Sequence, residues 1–163
     1  MTDSQGNGAA PGIVAGDVVR GIMRLFARND IWCLPEMPLK GGRRADLMGI
    51  DGKGHVILVE IKVSRADLLG DGKWTEYLDH CDRFYWGLSA ALDRSVMDSA
   101  AFRPEACGLI VADGYDAEVI RPAPLLPLAA ARPRVSTSTS LLVKRTRRMP
   151  AGPGSTGPAA QAM

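Results

Sequence analysis

The sequence of 163 residues has few features of a secreted or membrane protein. No apolar stretch approaches the roughly 20 residues that cross a bilayer, and the start lacks a basic region followed by an apolar run and a cleavage site. The three cysteines, Cys33, Cys81 and Cys107, are an odd number at wide spacing, which argues against a disulfide framework or a C-x-x-C metal knuckle. We therefore expect a soluble, cytoplasmic protein with reduced, buried thiols and no membrane partner.

Acidic residues are missing from the C-terminal part of the chain. Six of the 20 Lys and Arg residues lie from residue 132 onward, whereas all 18 Asp and Glu residues precede it. The stretch 132–163 is also rich in Pro, Gly and Ala, and residues 1–12 are small and polar, so we expect both tails to be largely disordered. Residues 13–131 then form one domain. A basic tail suits a polyanion such as nucleic acid, and a solubilising appendage is the alternative.

Hydrophobic periodicity predicts a helix followed by three strands. Apolar residues recur at helical spacing over about residues 17–28, with arginines on the other side. The stretch "IWCLPEMPL" is expected to be extended and at a sheet edge because of its prolines. The runs "RRADLMGI" and "HVILVEIKV" flank "DGKG", which is a strong signal for a β-hairpin.

A second helix and further strands are expected after the hairpin. Ser64 followed by Asp67 has the spacing of a capping box, and the glycines at 70 and 72 should break the helix before it resumes to about residue 82. The runs "RFYWGLS", "CGLIVAD" and "AEVIRPA" are rich in β-forming residues. The resulting fold class is α/β (α+β), in the order αβββαβ with extra strands.

The hairpin loop decides whether two acidic residues share a face. With a three-residue loop, Gly52-Lys53-Gly54, Asp51 pairs with His55 and Asp46 lies opposite Glu60. With a four-residue loop Asp46 lies opposite Val59, on the other face. Gly54 stands where the shorter loop needs a positive φ, so we expect the first register.

Two facing carboxylates destabilise a sheet unless one of them takes a proton, Lys62 neutralises part of the charge, or a divalent ion binds both. Mg²⁺ or Mn²⁺ fits Asp46 and Glu60, because hard cations prefer carboxylate, carbonyl and water oxygens, and the backbone carbonyl of Ile61 is expected as a third ligand. Lys62 then orients a water while the ion polarises a phosphoryl oxygen, which is the chemistry of phosphodiester hydrolysis. The alternative is a surface salt bridge between Asp46 and Lys62, with Glu60 solvated.

Basic and aromatic residues near these acids have two interpretations each. Arg43 and Arg44 directly precede Asp46, a position that suits contacts with the nucleic-acid backbone, and Lys73 could reach a phosphate as well. Solvation is the alternative for the lysine. Trp74 and Tyr77 have helical spacing, which is more typical of core packing than of base stacking.

The motif Asp46, thirteen intervening residues, then Glu60-Ile61-Lys62, within this element order, resembles the PD-(D/E)XK nuclease superfamily. The stretches "GRRADLMGID", "KWTEYLDHCDRFYW" and "CGLIVADGYDAEVIRPAP" are similar to the MmcB-type family of DNA-repair-associated proteins. The resemblance covers about residues 14–127. Ala45 stands where the superfamily motif has proline.

The resemblance implies a restriction-endonuclease-like core with a mixed central sheet flanked by helices. It also implies metal ligands at Asp46 and Glu60, a catalytic lysine at Lys62 and an auxiliary acid at Glu36. We expect a DNA-repair protein, associated with the nucleoid, that hydrolyses DNA. The alternative is a binding or adaptor module that keeps the nuclease fold. Partners would be DNA and other repair proteins; a homodimer is one option, because such nucleases often need two copies to cut two strands.

Overall fold

The computed structural model describes residues 12–127. The expected disordered N-terminal tail, apart from Gly12, and the basic C-terminal tail lie outside these residues. In the described part of the chain, no helix has both the length and the apolar character needed to cross a membrane.

A single sheet with helical segments on both faces makes up the described domain. Its helices and strands are, in chain order, α1 (Ala15–Arg28), β1 (Trp32–Pro38), β2 (Arg44–Ile50), β3 (Val56–Lys62), α2 (Arg65–Gly70), β4 (Arg83–Ser89), β5 (Cys107–Ala112) and β6 (Ala117–Arg121). Short 3-10 helices lie at Trp74–His80, Ser95–Asp98 and Ala100–Phe102. The six strands are arranged in sequence order, antiparallel at both ends and parallel between β3, β4 and β5. The predicted α+β class, element order and mixed sheet are confirmed.

Helix α1 covers one face of the sheet. Its buried side chains, Val18, Ile22 and Phe26, pack with apolar residues of β2, β3 and β5. The other face carries an aromatic layer in which Trp86 lies 4.9 Å from Trp74, measured between ring centroids. As a result, every residue of β3 is buried, although only one face of a typical hairpin strand would be.

The hairpin between β2 and β3 has the three-residue loop. Asp51 N donates to His55 O at 3.1 Å, and Gly54 has a φ of 84°. Leu47 pairs with Val59, which is the register expected from the shorter loop. The four-residue alternative is therefore excluded, and Asp46 and Glu60, one residue further along, lie on the same face of the sheet.

The second helix differs from the sequence-based expectation. The Ser64 side chain caps α2 by accepting from Asp67 N at 3.1 Å, as predicted, and the helix ends at Gly70. The expected helical continuation is a 3-10 helix, Trp74–His80, because Trp74 and Tyr77 turn together into the aromatic layer. Packing, not base stacking, is therefore the role of these two rings. Within residues 12–127 none of the three cysteines forms a disulfide, and Cys33 is only half-buried.

Replacing Gly54 with alanine should destabilise the protein by about 1 to 2 kcal/mol, because a side chain in the left-handed region strains the backbone. Gly52→Ala in the same loop is the matched control, since it has open space around it and no positive φ. Urea denaturation of the two variants measures the difference. Equal stabilities would contradict the assigned turn.

Candidate functional site

A cleft of about 550 Å³ lies where β2 and β3 approach the first turns of α1 and α2. Among the described residues, five charged ones line it: Glu36, Asp46, Glu60, Lys62 and Asp67. The structure thus brings together the four residues that the sequence predicted as catalytic and adds a further acid from α2.

Asp46 lies one residue beyond the last pair between β2 and β3. Its Oδ2 accepts a hydrogen bond from Ile61 N at 2.7 Å, in place of a further backbone pair between the two strands. This bond holds the Asp46 carboxylate against β3, beside Glu60. It also places Ile61 at the cleft, and the role of its carbonyl as a metal ligand stays a prediction.

Lys62 is the buried cation of the site. Its side chain is 6% exposed, and its ammonium lies 3.2 Å from Glu60, 3.0 Å from Asp71 and 3.5 Å from Asp67. The ammonium donates hydrogen bonds to Glu60 and Asp71, and Asp67 adds an ion pair. The predicted alternative, a surface pair between Lys62 and Asp46 with Glu60 solvated, does not fit this arrangement.

The pKa values follow from burial and from the crowding of like charges. Burial, followed by the charge of Asp46, raises the pKa of Glu60 from its ordinary 4.5 to about 7. Burial also raises the pKa of Asp46, against the opposing effects of the Ile61 N–H and Lys62. For Lys62, burial alone would lower the pKa, but Asp71 and Glu60 outweigh it and raise the pKa. Lys62 is therefore protonated at neutral pH, whereas Glu60 is balanced between its two forms.

These donors fit a hard divalent cation. Glu60, Asp67 and Asp71 surround one buried ammonium, and Asp46 lies on the same face of the sheet beside Glu60, so carboxylates outnumber this cation when all four are ionised. Among residues 12–127, no group of three or more His, Cys, Asp or Glu side chains could hold a metal ion. Two carboxylates with a backbone carbonyl and waters are nevertheless enough for Mg²⁺, which keeps several waters when it binds.

Glu36 reaches the cleft from the edge strand β1. Its backbone has a φ of 53°, a conformation that is uncommon outside glycine, and its side chain is 69% exposed. The carboxylate lies 3.8 Å from the Arg44 guanidinium. Glu36 is thus at the entrance, less desolvated than Asp46 and Glu60, and its role as an auxiliary acid stays a prediction.

The three predicted phosphate contacts differ in their availability. Arg43 Nε donates to Glu76 at 2.7 Å, and its side chain is only 25% exposed. Arg44 is 62% exposed beside Glu36, and Lys73 is exposed at the start of the 3-10 helix. Arg44 and Lys73 can therefore contact a ligand without losing a short ion pair. Arg43 would first have to give up its ion pair with Glu76.

Sequence reasoning missed Asp67 and Asp71 as partners of Lys62. The sequence indicates Asp67 only as part of a helix start, whereas in the structure its carboxylate lies 3.5 Å from the Lys62 ammonium. Asp71 stands between two glycines, and its backbone ends α2. The repeated acids of "RADLLGDG" directly after the lysine strand were the available signal.

Comparisons with known proteins assign the chain to a family. The family described as DNA repair protein MmcB-like matches residues 10–149. The chain therefore belongs to the MmcB-like family of DNA repair proteins, as the sequence predicted. None of the curated proteins matches the sequence.

Two solved structures resemble the chain to different degrees. A protein of unknown function from Silicibacter pomeroyi is 33% identical with a TM-score of 0.62, and the match covers 88% of this chain and 97% of that one. A repair endonuclease from Pyrococcus abyssi is 14% identical with a TM-score of 0.33, over 57% of this chain and 45% of that one.

Glu60→Gln should stabilise the protein at high pH. The raised pKa means that the folded state holds the Glu60 proton more tightly than the unfolded state does, so stability falls as pH rises from about 4.5 to about 7. In EDTA at pH 8 the variant should gain on the order of 1 to 3 kcal/mol over the wild type, with a smaller gain at pH 5.

Denaturant unfolding at the two pH values measures this effect. Glu118→Gln, on the exposed strand β6, is the control and should show no such pH-dependent gain. If the difference in unfolding free energy between the wild type and Glu60→Gln were the same at pH 5 and pH 8, the desolvated carboxylate pair would be refuted.

Proposed function

We propose that the protein is a metal-dependent phosphodiester hydrolase that acts on DNA during repair. The observation that carries the proposal is the position of Asp46 and Glu60, which lie on one face of the sheet in a cleft whose carboxylates outnumber its buried cation. The spacing of Asp46, Glu60 and Lys62 is also that of the PD-(D/E)XK motif, and the family is one of DNA repair proteins.

Asp46, Glu60 and the carbonyl of Ile61 would hold Mg²⁺ or Mn²⁺. When bound, such an ion polarises the phosphoryl oxygen and stabilises the charge that develops during hydrolysis. Asp46 is prepared for this role, because the bond to Ile61 N uses only one of its oxygens. Glu60 would bind as a carboxylate, so its proton, held by burial and by Asp46, must leave first.

Lys62 holds and orients the attacking water. Its raised pKa makes it a donor and not a general base. If Glu60 turns from Lys62 toward a metal, Asp67 and Asp71 still hold the ammonium and one N–H becomes available to a water. Asp71 is then a positioning residue, which fixes the direction of that N–H.

DNA binds over the cleft through its phosphates. Arg44 and Lys73 are exposed near the site and supply positive charge outside the acidic cleft. Glu36, at the entrance, assists from the side of β1. Association with the nucleoid, with other repair proteins or with a second copy of the chain stays a prediction.

A DNA-binding adaptor that has no catalytic activity is the second candidate. The observation in its favour is that three carboxylates pair with the Lys62 ammonium, since such a site can keep its lysine compensated without a metal. An adaptor would bind DNA with equal affinity in the presence and absence of a divalent ion.

Glu60→Gln and Asp46→Asn should each lower the affinity for Mn²⁺ by at least about tenfold, because each removes one ligand charge. Titration calorimetry at pH 8 measures this directly, and Asp67→Asn is the matched control because the Asp67 carboxylate pairs with Lys62 and is not a proposed ligand. Unchanged Mn²⁺ binding in both variants would refute the proposed ligands.

Cleavage should require the same residues. With Mg²⁺ or Mn²⁺, the wild type should cut at least one of nicked, branched, single-stranded and duplex DNA, and EDTA should abolish the activity. Glu60→Gln and Lys62→Met should each reduce the rate by at least about 100-fold, because the first removes a ligand and the second a donor to the water. DNA binding without cleavage, unaffected by Glu60→Gln, would favour the adaptor.

A further inference from the structure

The hairpin that joins β1 to β2 ends in a basic, glycine-containing tip, Leu39–Arg43, which we call the hairpin tip. Leu39 N donates to Arg43 O at 2.7 Å, and this bond closes the turn. Gly41 and Gly42 have φ values of 96° and 84°, so the turn depends on glycine at both positions. From Met37 to Ala45 the sequence has three basic residues and no acid.

The hairpin tip projects into solvent. Lys40, Gly41 and Gly42 are exposed, and no atom lies within 4 Å of the position that a Cβ would take on either glycine. A ligand can therefore approach the backbone of the glycine pair closely. Lys40 directly precedes the two glycines and is exposed, and Arg44 lies at the base of the hairpin.

The hairpin tip is nevertheless held in place from below. Arg43 Nε donates to Glu76 at 2.7 Å, and the guanidinium carbon lies 5.6 Å from the centre of the Tyr77 ring. The Tyr77 hydroxyl donates to Arg44 O at 3.1 Å. Tyr77 itself is buried against Phe84, so these contacts connect the hairpin tip to the aromatic layer of the core.

The position of the hairpin tip relates it to the cleft. Pro38 pairs with Arg44 at the end of the β1–β2 ladder, two residues beyond the position of Glu36 and Asp46. At the rise of a β-strand this distance is about 7 Å. A long polyanion that lies over the cleft and runs along β2 therefore also contacts the hairpin tip.

We propose that the hairpin tip is a fixed duplex-binding finger in which Lys40 and Arg44 contact the phosphates beside a groove and the Gly41–Gly42 backbone approaches the DNA. A two-stranded ribbon fits the major groove, which is about 12 Å wide. Arg43 is a positioning residue that anchors the finger to the 3-10 helix, in place of the phosphate contact predicted from sequence. The inference rests on the proposed function only in taking DNA as the ligand.

Duplex binding without metal tests the finger separately from the metal site. Fluorescence anisotropy of a labelled duplex in EDTA, repeated at several salt concentrations, gives both the affinity and the salt dependence. Lys40→Ala should weaken binding severalfold and reduce the slope of log K against log[salt] by about 0.9, and Lys40→Ala/Arg44→Ala by about twice that amount.

Lys53 provides a matched control in a second hairpin. It is an exposed lysine between two glycines, in the loop at the opposite end of β2. Lys53→Ala removes the same charge and should leave both the affinity and the slope unchanged. Equal effects of Lys40→Ala and Lys53→Ala would overturn the finger, since they would reflect net charge alone.

Glu76→Gln separates anchoring from contact. Loss of an acid should strengthen DNA binding if only charge matters, and it would release Arg43 for a phosphate. If Arg43 anchors the finger, the variant instead binds the duplex more weakly, because the hairpin tip loses its main ion pair. Binding equal to or stronger than that of the wild type would overturn the anchoring role.

The outcomes distinguish this inference from the proposed function. If the wild type binds the duplex and Lys40→Ala changes nothing, the finger is wrong while Mn²⁺ binding and cleavage are untouched. If the finger variants lose duplex affinity but the wild type binds no Mn²⁺, the finger stands and the hydrolase does not. A wild type with no duplex affinity overturns the finger directly.

Discussion

Strand β3 is buried on both faces and still carries two charged residues at its end, and the arrangement of the site depends on this fact. Glu60 and Lys62 occupy positions that a covered strand would normally give to aliphatic side chains. Because an unpaired buried charge is very unfavourable, partners must come from neighbouring segments. The direction in which α2 leaves the strand brings Asp67 and Asp71 to Lys62, whereas the register of the hairpin adds a further acid, Asp46, beside Glu60.

This arrangement lowers the free energy of unfolding, and packing in the rest of the domain offsets the loss. Buried ion pairs rarely stabilise a fold more than apolar residues of the same size would, and here two carboxylates also repel each other. The compensating elements are the packing of α1 on one face and the aromatic layer on the other. The repulsion between Asp46 and Glu60 destabilises the fold. A bound cation would relieve it, which is a physical reason to look for a cation at this position.

The parts of the structure that could be predicted from sequence are those that local rules decide. The period of two in β2 and β3, with glycine at one turn position, was enough to place Asp46 and Glu60 on one face. The 3-10 form of residues 74–80 could not be predicted, because the contacts of Trp74 and Tyr77 with the sheet override helix propensity. The pairs Lys62–Asp71 and Arg43–Glu76 were also missed, since each joins segments whose relative placement follows from the tertiary fold.

One segment, the 3-10 helix Trp74–His80, connects the core to the hairpin tip. Its Tyr77 packs in the aromatic layer and donates to the backbone of Arg44, and its Glu76 pairs with Arg43. Arg44 in turn lies two residues before Asp46 on the same strand. Because only Ala45 separates Arg44 from Asp46 along β2, the contacts that fix the hairpin tip also limit where the Asp46 carboxylate can lie relative to Glu60. The geometry of the carboxylate pair is therefore set from two sides, by the Gly54 turn at one end of β2 and by the Tyr77 anchor at the other.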